Sequence, residues 1–304
     1  MKTDDIKDIK IKYRDKLIIN PNATIGMEIE FKNVNLDWFQ KLLEEKKLYD
    51  WRVKFDRSVT TIYKLKSNYE IYHGGEVNSP IIKNTEKNWN ELKMVCDILK
   101  HEDARITEEC GGHIHIGKQL LKKESYFNFF KLWFMYEPII FRFGYGEFNK
   151  GRSDINYYAA SIRELLKPYI INEKKFNIDE VITDLGSNRH LAVNFQNIIT
   201  ERSNTIEFRC PNGSIDPIIW QNNANFFVNL VDKANNVEID KHKLKYLLNL
   251  YKTNYDEINM EDANELANII FDNEIDKLYF LRQYVKDGNN EKPKAFAKSM
   301  KFTN

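Results

Sequence analysis

Three pairs of ionisable residues, spaced two apart, interrupt otherwise apolar runs in this sequence. They are Glu28 and Glu30 in TIGMEIEF, His113 and His115 in GGHIHIG, and Glu207 and Arg209 in TIEFRCPNG. Side chains two apart on a β-strand project to the same face. One such pair is ordinarily a solvated sheet face; three, one of them histidines, describe a polar cavity. Glu28 and Glu30 would stand about 7 Å apart, given ~3.3 Å of rise per residue, and like charges that close repel unless a cation lies beside them. Magnesium takes carboxylate and phosphate oxygens together. Glu76, just after Gly74-Gly75, is a further candidate acid. The histidines are flanked by glycines that let a ligand approach. An H-x-H pair also occurs in zinc enzymes, so a zinc-dependent hydrolase is a second reading. At the end of its strand, Glu207 would serve a metal while the planar fork of Arg209 meets phosphate or carboxylate oxygens. The plain alternative is a local ion pair. Arg152, Arg189 and Arg202 are further cationic candidates.

The elements that must position these residues follow from the same patterns. Ile25, Met27, Ile29 and Phe31 alternate with the two acids, which predicts a half-buried strand over 24–31. Residues 51–82 alternate β-formers and end at Pro80, a meander of strands. Helical spacing returns at 35–48, 84–100 and 122–143. One or two strands are expected over 104–117, helices over 157–167 and 178–185, and strands over 190–198 and 205–210. Asp216-Pro217 has the form of an N-cap followed by an N1 proline, opening a helix to about 234. Three more helices fill 240–285. The loop at 144–154, with three glycines and Arg152, is long enough to act as a lid. The order is α+β, because hairpin-like strand pairs replace the regular alternation that a parallel sheet needs. The expected organisation is a polar leader at 1–23, a catalytic domain at 24–235, a helical C-terminal extension at 236–285 and a flexible tail at 286–304.

Composition narrows the function. In 304 residues, 46 Lys and Arg nearly balance 45 Asp and Glu, so a net charge of +1 gives no electrostatic case for nucleic acid or an anionic membrane. The first residues lack the continuous apolar run of a signal peptide, and no stretch approaches ~18 apolar residues. Three cysteines without C-x-x-C spacing argue against a disulfide framework and a cysteine zinc site. A reducing cytoplasm is the expected location. The sequence contains no G-x-x-x-x-G-K-[ST] loop, no G-x-S-x-G elbow and no H-E-x-x-H. A nucleotide here would be held by metals and arginines.

Taken in order, GMEIEF at 26–31, GGEVNSP at 74–80, CGGHIHI at 110–116, RHLAVN at 189–194 and TIEFRCPNG at 205–213 resemble the amidoligase family. That family belongs with glutamine synthetase and glutamate–cysteine ligase. The likeness spans about residues 24–235, and the ordered set is more specific than any single motif. WRVKFDRS at 51–58 is similar to the family's W-x-x-x-x-D-G-S segment, with Arg57 where glycine is usual. The resemblance implies a curved antiparallel half-barrel of the glutamine synthetase type. ATP would enter one end and the substrate carboxylate the other, with two or three Mg²⁺ ions between them and Mn²⁺ as an alternative. Carried onto this chain, Glu28, Glu30, Glu76, His113 and Glu207 become metal ligands and Arg209 meets phosphate. His115 and Arg202 go to the nucleotide, and Arg152 and Arg189 are catalytic candidates. The implied activity is amide formation from a glutamyl or peptide-like carboxylate and a small-molecule amine, through an acyl phosphate. A catalytically inactive binding module of the same fold is the alternative.

Overall fold

The computed structural model describes residues 6–59, 61–64, 69–72, 74–201, 203–250, 255 and 257–286. Its strands are β1 (Ile25–Lys32), β2 (Arg52–Phe55), β3 (Thr61–Lys64), β4 (Tyr69–Tyr72), β5 (Gly74–Asn78), β6 (Gly112–Gly117), β7 (Val193–Asn194) and β8 (Thr205–Phe208). Six of them form one open antiparallel sheet in the order β2-β5-β1-β6-β8-β7, and β3 pairs with β4 as a separate hairpin. The helices are α1 (Leu36–Glu45), α2 (Glu86–His101), α3 (Tyr126–Gly144), α4 (Ile155–Tyr158), α5 (Arg163–Ile171), α6 (Ile178–Gly186), α7 (Gln196–Ile199), α8 (Pro217–Lys233), α9 (Lys241–Leu248), α10 (Met260–Ile270) and α11 (Glu274–Val285). The α+β expectation therefore holds.

Strand alternation divides the sheet into two chemically different faces. Ile25, Met27, Ile29 and Phe31 of β1, Val77 of β5, Ile114 and Ile116 of β6, and Ile206 and Phe208 of β8 are all buried on the helical side. Phe208 stacks between Trp133 of α3 and Phe227 of α8, at 5.8 Å and 4.4 Å between ring centroids. Each such side chain removed from water contributes about 1.5–3 kcal/mol, so this face fixes the register of the strands. A slip of one residue would exchange the apolar set for the charged one.

Helix starts follow the sequence signals. Thr85 accepts from the Asn88 amide at 3.3 Å ahead of α2, and Asp216 accepts from the Ile218 amide at 3.0 Å with Pro217 in the first turn of α8. The region expected as one helix over 157–167 is instead two, α4 and α5, separated by a bend. Of the strand expected over 190–198, only Val193–Asn194 joins the sheet, Leu191 making an isolated bridge to Ala160, after which α7 begins. The apolar residues of HLAVNFQNII suit either geometry, so length and pairing decide.

Neither end of the described chain behaves as a loose appendage. Ile6, Leu17 and Ala23 of the polar leader are buried, Arg14 pairs with buried Asp276 at 2.7 Å, and the Tyr13 hydroxyl donates to Trp89 O at 2.5 Å. The C-terminal helices share the hydrophobic core through Phe143, Phe226 and Phe280, whose rings lie 4.7–5.1 Å apart. Lys286, the first residue of the expected tail, is buried; residues 287–304 lie outside the described residues. All three cysteines are buried and unpaired. No helix among the described residues is long and apolar enough to cross a membrane.

Candidate active site

The polar face of the sheet collects the predicted residues because antiparallel register aligns their strands. Glu28 of β1 lies opposite His113 of β6 and Asn78 of β5, and Glu30 lies opposite Glu76. His115 lies opposite Glu207 of β8, which in turn faces Asn194 of β7. The two-residue spacing seen in sequence thus becomes a two-dimensional array of acids and imidazoles.

Within that array the contacts are close. His113 Nδ1 is 2.7 Å from Glu28 Oε2 and 3.6 Å from Glu207 Oε1. His113 Nε2 lies 3.6 Å from Glu30 Oε1, and His115 Nε2 lies 3.2 Å from Glu28 Oε1. His113 Nε2 is buried without a hydrogen-bond partner, whereas His115 Nε2 faces the Glu28 carboxylate. Burial pushes the Glu28 carboxyl up, but hydrogen bonds and charge from the two histidines outweigh it and hold the group well below the carboxylate range. Glu207 shows the same balance: burial opposes ionisation, while His115, Arg209 and His113 restore it and leave its pKa lowered. Glu76 goes the other way. Burial, then the charge of Glu28, pushes it up to about 7.

Ligand atoms of Glu28, His115 and Glu207 all lie within 4.8 Å of one another. Oxygen-rich, with one imidazole in the set and the orphaned His113 Nε2 nearby, this donor set fits a divalent cation. The tight set contains His115 where the sequence reading had favoured His113. His113 is instead bonded to Glu28 and stands closest to Glu30 through its free nitrogen.

The arginines separate. Arg209 Nη1 donates to Glu207 Oε1 at 2.5 Å and Nε to Tyr158 O at 3.2 Å. Arg152, although on the loop after α3, is buried with Nη1 3.9 Å from Glu30 Oε2. The loop expected as a lid is tied down: the Ser153 amide donates to Glu108 O at 2.7 Å, and Asn212 bonds three of the loop's backbone groups. Arg189 is exposed in the turn before β7. Arg202 lies outside the described residues. Asp56 is engaged locally, accepting from both the amide and the hydroxyl of Ser58 at 2.8 Å.

Several site residues went unread in the sequence. Lys32 shares a face with Glu28 and Glu30, is fully buried and pairs with Glu109 at 2.7 Å; the alternation of β1 extends to it. Asn194 donates to Glu207 Oε2 at 2.7 Å, and its own oxygen accepts from the Gln196 amide. Nothing local in RHLAVN marks that role, since the contact is made across two strands.

Gly111 is a steric requirement of the site. Its amide donates to Glu30 Oε2 at 2.5 Å, and a Cβ at this position would stand 1.2 Å from Arg152 Nη1. We expect Gly111→Ala to fold, because the flexible arginine head can yield, with a stability change of about 1 kcal/mol. Loss of the seated guanidinium should lower phosphate release from ATP roughly tenfold. Equal turnover in the variant and wild type would show that the seat is not used.

Beside Glu28 and His115 opens a cavity of about 640 Å³, lined by Ile25, Met27, Pro80 and Ile81 with the polar residues Asn78, Asn197, Ser203 and Asn204. Among the described residues, no lysine or arginine lines it. The cationic groups Arg152 and Arg209 belong to the opposite part of the cluster, near Glu30 and Glu207.

Comparison with curated proteins gives no match. The family model described as "Putative amidoligase enzyme" matches residues 21–231, which contain every strand of the sheet and every member of the acid–imidazole array. With most of its length inside that match, the chain belongs to the amidoligase family.

Proposed function

We propose that this protein is an ATP- and Mg²⁺-dependent carboxylate–amine ligase that forms an amide through an acyl phosphate. The observation that carries this reading is the convergence of Glu28, His115 and Glu207 within 4.8 Å on the polar face of an amidoligase-family sheet. Glu30 and His113 extend the same array toward Arg152. Metal ions bound there would supply charge for phosphate oxygens, with Glu28, Glu30, Glu207, His113 and His115 as the residues that hold them. Glu76 lies opposite Glu30 at the rim and completes the acid set.

The chemistry needs such a site. A carboxylate is a poor electrophile; transfer of the γ-phosphoryl group to one of its oxygens releases ADP and gives an acyl phosphate. Attack by the amine at the carbonyl carbon then forms the C–N bond, breaks the C–O bond to phosphate and leaves a proton for a neighbouring base. Both steps concentrate negative charge, which Arg209 and Arg152 are placed to offset. The cavity beside Glu28 and His115 suits a nucleoside, with Asn197, Ser203 and Asn204 as hydrogen-bonding groups and Ile25, Met27 and Pro80 as apolar surface. The carboxylate and its amine would then approach from the arginine side, where a glutamyl or peptide-like acid finds cations. A zinc hydrolase built on the same two histidines and an acid would instead act without nucleotide.

A direct test incubates the protein with ATP, Mg²⁺ and a panel of amino acids, peptides and amines, and follows phosphate release and condensation products by mass. Calorimetry with and without excess chelator accompanies it. We expect ATP affinity to fall at least tenfold in chelator, because no glycine-rich phosphate loop is present to hold the nucleotide alone. Equal affinity in chelator, or hydrolysis of amides without nucleotide, would overturn the reading.

A further inference from the structure

We propose that Asn212 is the positioning residue of the anion end of this site, holding Arg152 so that its guanidinium receives phosphate oxygens. Asn212 is almost fully buried where the chain leaves β8, and its amide group is fully committed. Its Oδ1 accepts from the Arg152 amide at 2.8 Å, while its Nδ2 donates to Tyr145 O at 3.2 Å and to Lys150 O at 3.0 Å. Its backbone amide donates to Gly144 O at 2.9 Å, and its backbone bridges to Gly111. That side chain therefore holds both ends of the loop at 145–152, while the backbone of Asn212 ties it to Gly111, the residue before the histidine strand. The geometry is hard to replace. An acceptor and two donors in one plane are what an amide offers; a hydroxyl has a single donor and an ionised carboxylate has none.

What the arrangement delivers is a cation with capacity to spare. The Arg152 guanidinium fills the space that the missing Cβ of Gly111 leaves, donates to Arg209 O at 3.3 Å and comes no closer than 3.9 Å to Glu30. Its Nε is buried and has no partner. A buried guanidinium left this incomplete costs free energy unless an anion completes it. Arg209 lies close enough for its charge to bear on Arg152, so a phosphoryl group would meet both guanidinium groups, while the Gly111 amide stays bonded to Glu30. Asn212 touches none of the reacting atoms; it acts through Arg152.

This inference rests on the reading of the site as one that handles phosphate, and its test is separable from that of ligase activity. Inorganic phosphate in the presence of Mg²⁺ is titrated calorimetrically into wild type, Asn212→Ser, Arg152→Ala and the double variant. Arg152→Ala should weaken phosphate binding roughly 10- to 100-fold, as loss of a charge-assisted donor set does. Asn212→Ser should come within about threefold of that loss and add less than about twofold in the Arg152→Ala background, because both changes remove the same interaction. Independent, additive losses, wild-type affinity in Asn212→Ser, or no phosphate binding by wild type would each overturn the proposal. Should Asn212→Ser not fold, hydrogen exchange on the wild type decides. A slowly exchanging Arg152 amide is expected, and exchange at the rate of an open loop would remove the anchor. Phosphate binding that follows this pattern in a protein without ATP turnover would refute the ligase reading and leave the positioning role intact.

Discussion

Replacing Glu207 by Gln is expected to leave a folded protein with phosphate release reduced by about 10²–10³-fold or more, the scale on which loss of one preorganised charged group acts. The carboxylate occupies the centre of the array. One oxygen accepts from Arg209 at 2.5 Å and stands 3.6 Å from His113, and the other accepts from Asn194 at 2.7 Å. Gln keeps the shape but removes the charge that a divalent cation needs, so affinity for Mg²⁺ or Mn²⁺ should fall at least tenfold. It also turns an NH₂ group toward either Arg209 or Asn194, donor against donor, at a cost of about 1–3 kcal/mol. A melting temperature lower by a few degrees is consistent with that cost. The pH dependence gives a second signature, read in chelator. Burial opposes ionisation of Glu207, but His115, Arg209 and His113 hold its folded pKa below the ordinary 4.5. Stability from the ionised form is therefore complete above the unfolded value and is lost as pH falls through the folded one. The stability gap between wild type and Glu207→Gln should accordingly narrow below about pH 4.5. Turnover within threefold of wild type would remove Glu207 from the site.

The catalytic face was legible because alternation is a local property. Ile25, Met27, Ile29 and Phe31 had to share a side, and that alone sent Glu28 and Glu30 to the other. The H-x-H strand and the Glu-x-Arg strand followed the same rule, and the helix opening at Asp216-Pro217 carried its own cap. What was not legible depends on contacts remote in sequence. Asn212 and Asn194 are ordinary polar residues until the sheet places them beside Arg152 and Glu207. The leader looked solvated because charged residues outnumber its apolar ones. Yet Ile6 and Leu17 are enough to bind it to the helical layer, with Arg14 paired to Asp276. Arg189 opens the RHLAVN motif, and its side chain is exposed in the turn before β7. The loop at 144–154 has the composition of a lid, but Asn212 and Glu108 hold its backbone, a restraint that glycine content does not disclose.

Arg209→Lys is expected to lower kcat by roughly 10²-fold while changing ATP affinity much less, since the charge stays and the fork is lost. In the present geometry the guanidinium does two things at once. Nε donates to Tyr158 O at 3.2 Å and Nη1 to Glu207 Oε1 at 2.5 Å, so the plane of the group is fixed from both sides. Its remaining donors are thereby aimed by the protein before any phosphate arrives, which is the condition under which a donor favours the transition state over the bound substrate. A lysine ammonium can replace the bond to Glu207 or the one to Tyr158, and it holds no direction for a third partner. The ground-state complex, dominated by net charge, should tolerate that; the transition state, in which charge spreads over several phosphoryl oxygens, should not. The competing account treats Arg209 and Glu207 as a structural ion pair only. For a pair as shielded as this one, conversion to Lys would keep the charge, cost stability and leave catalysis near wild type. Single-turnover phosphate release separates the two accounts. A slow chemical step with near-normal ATP binding places Arg209 on the transferring group, whereas a normal step with a lowered melting temperature assigns it to the scaffold.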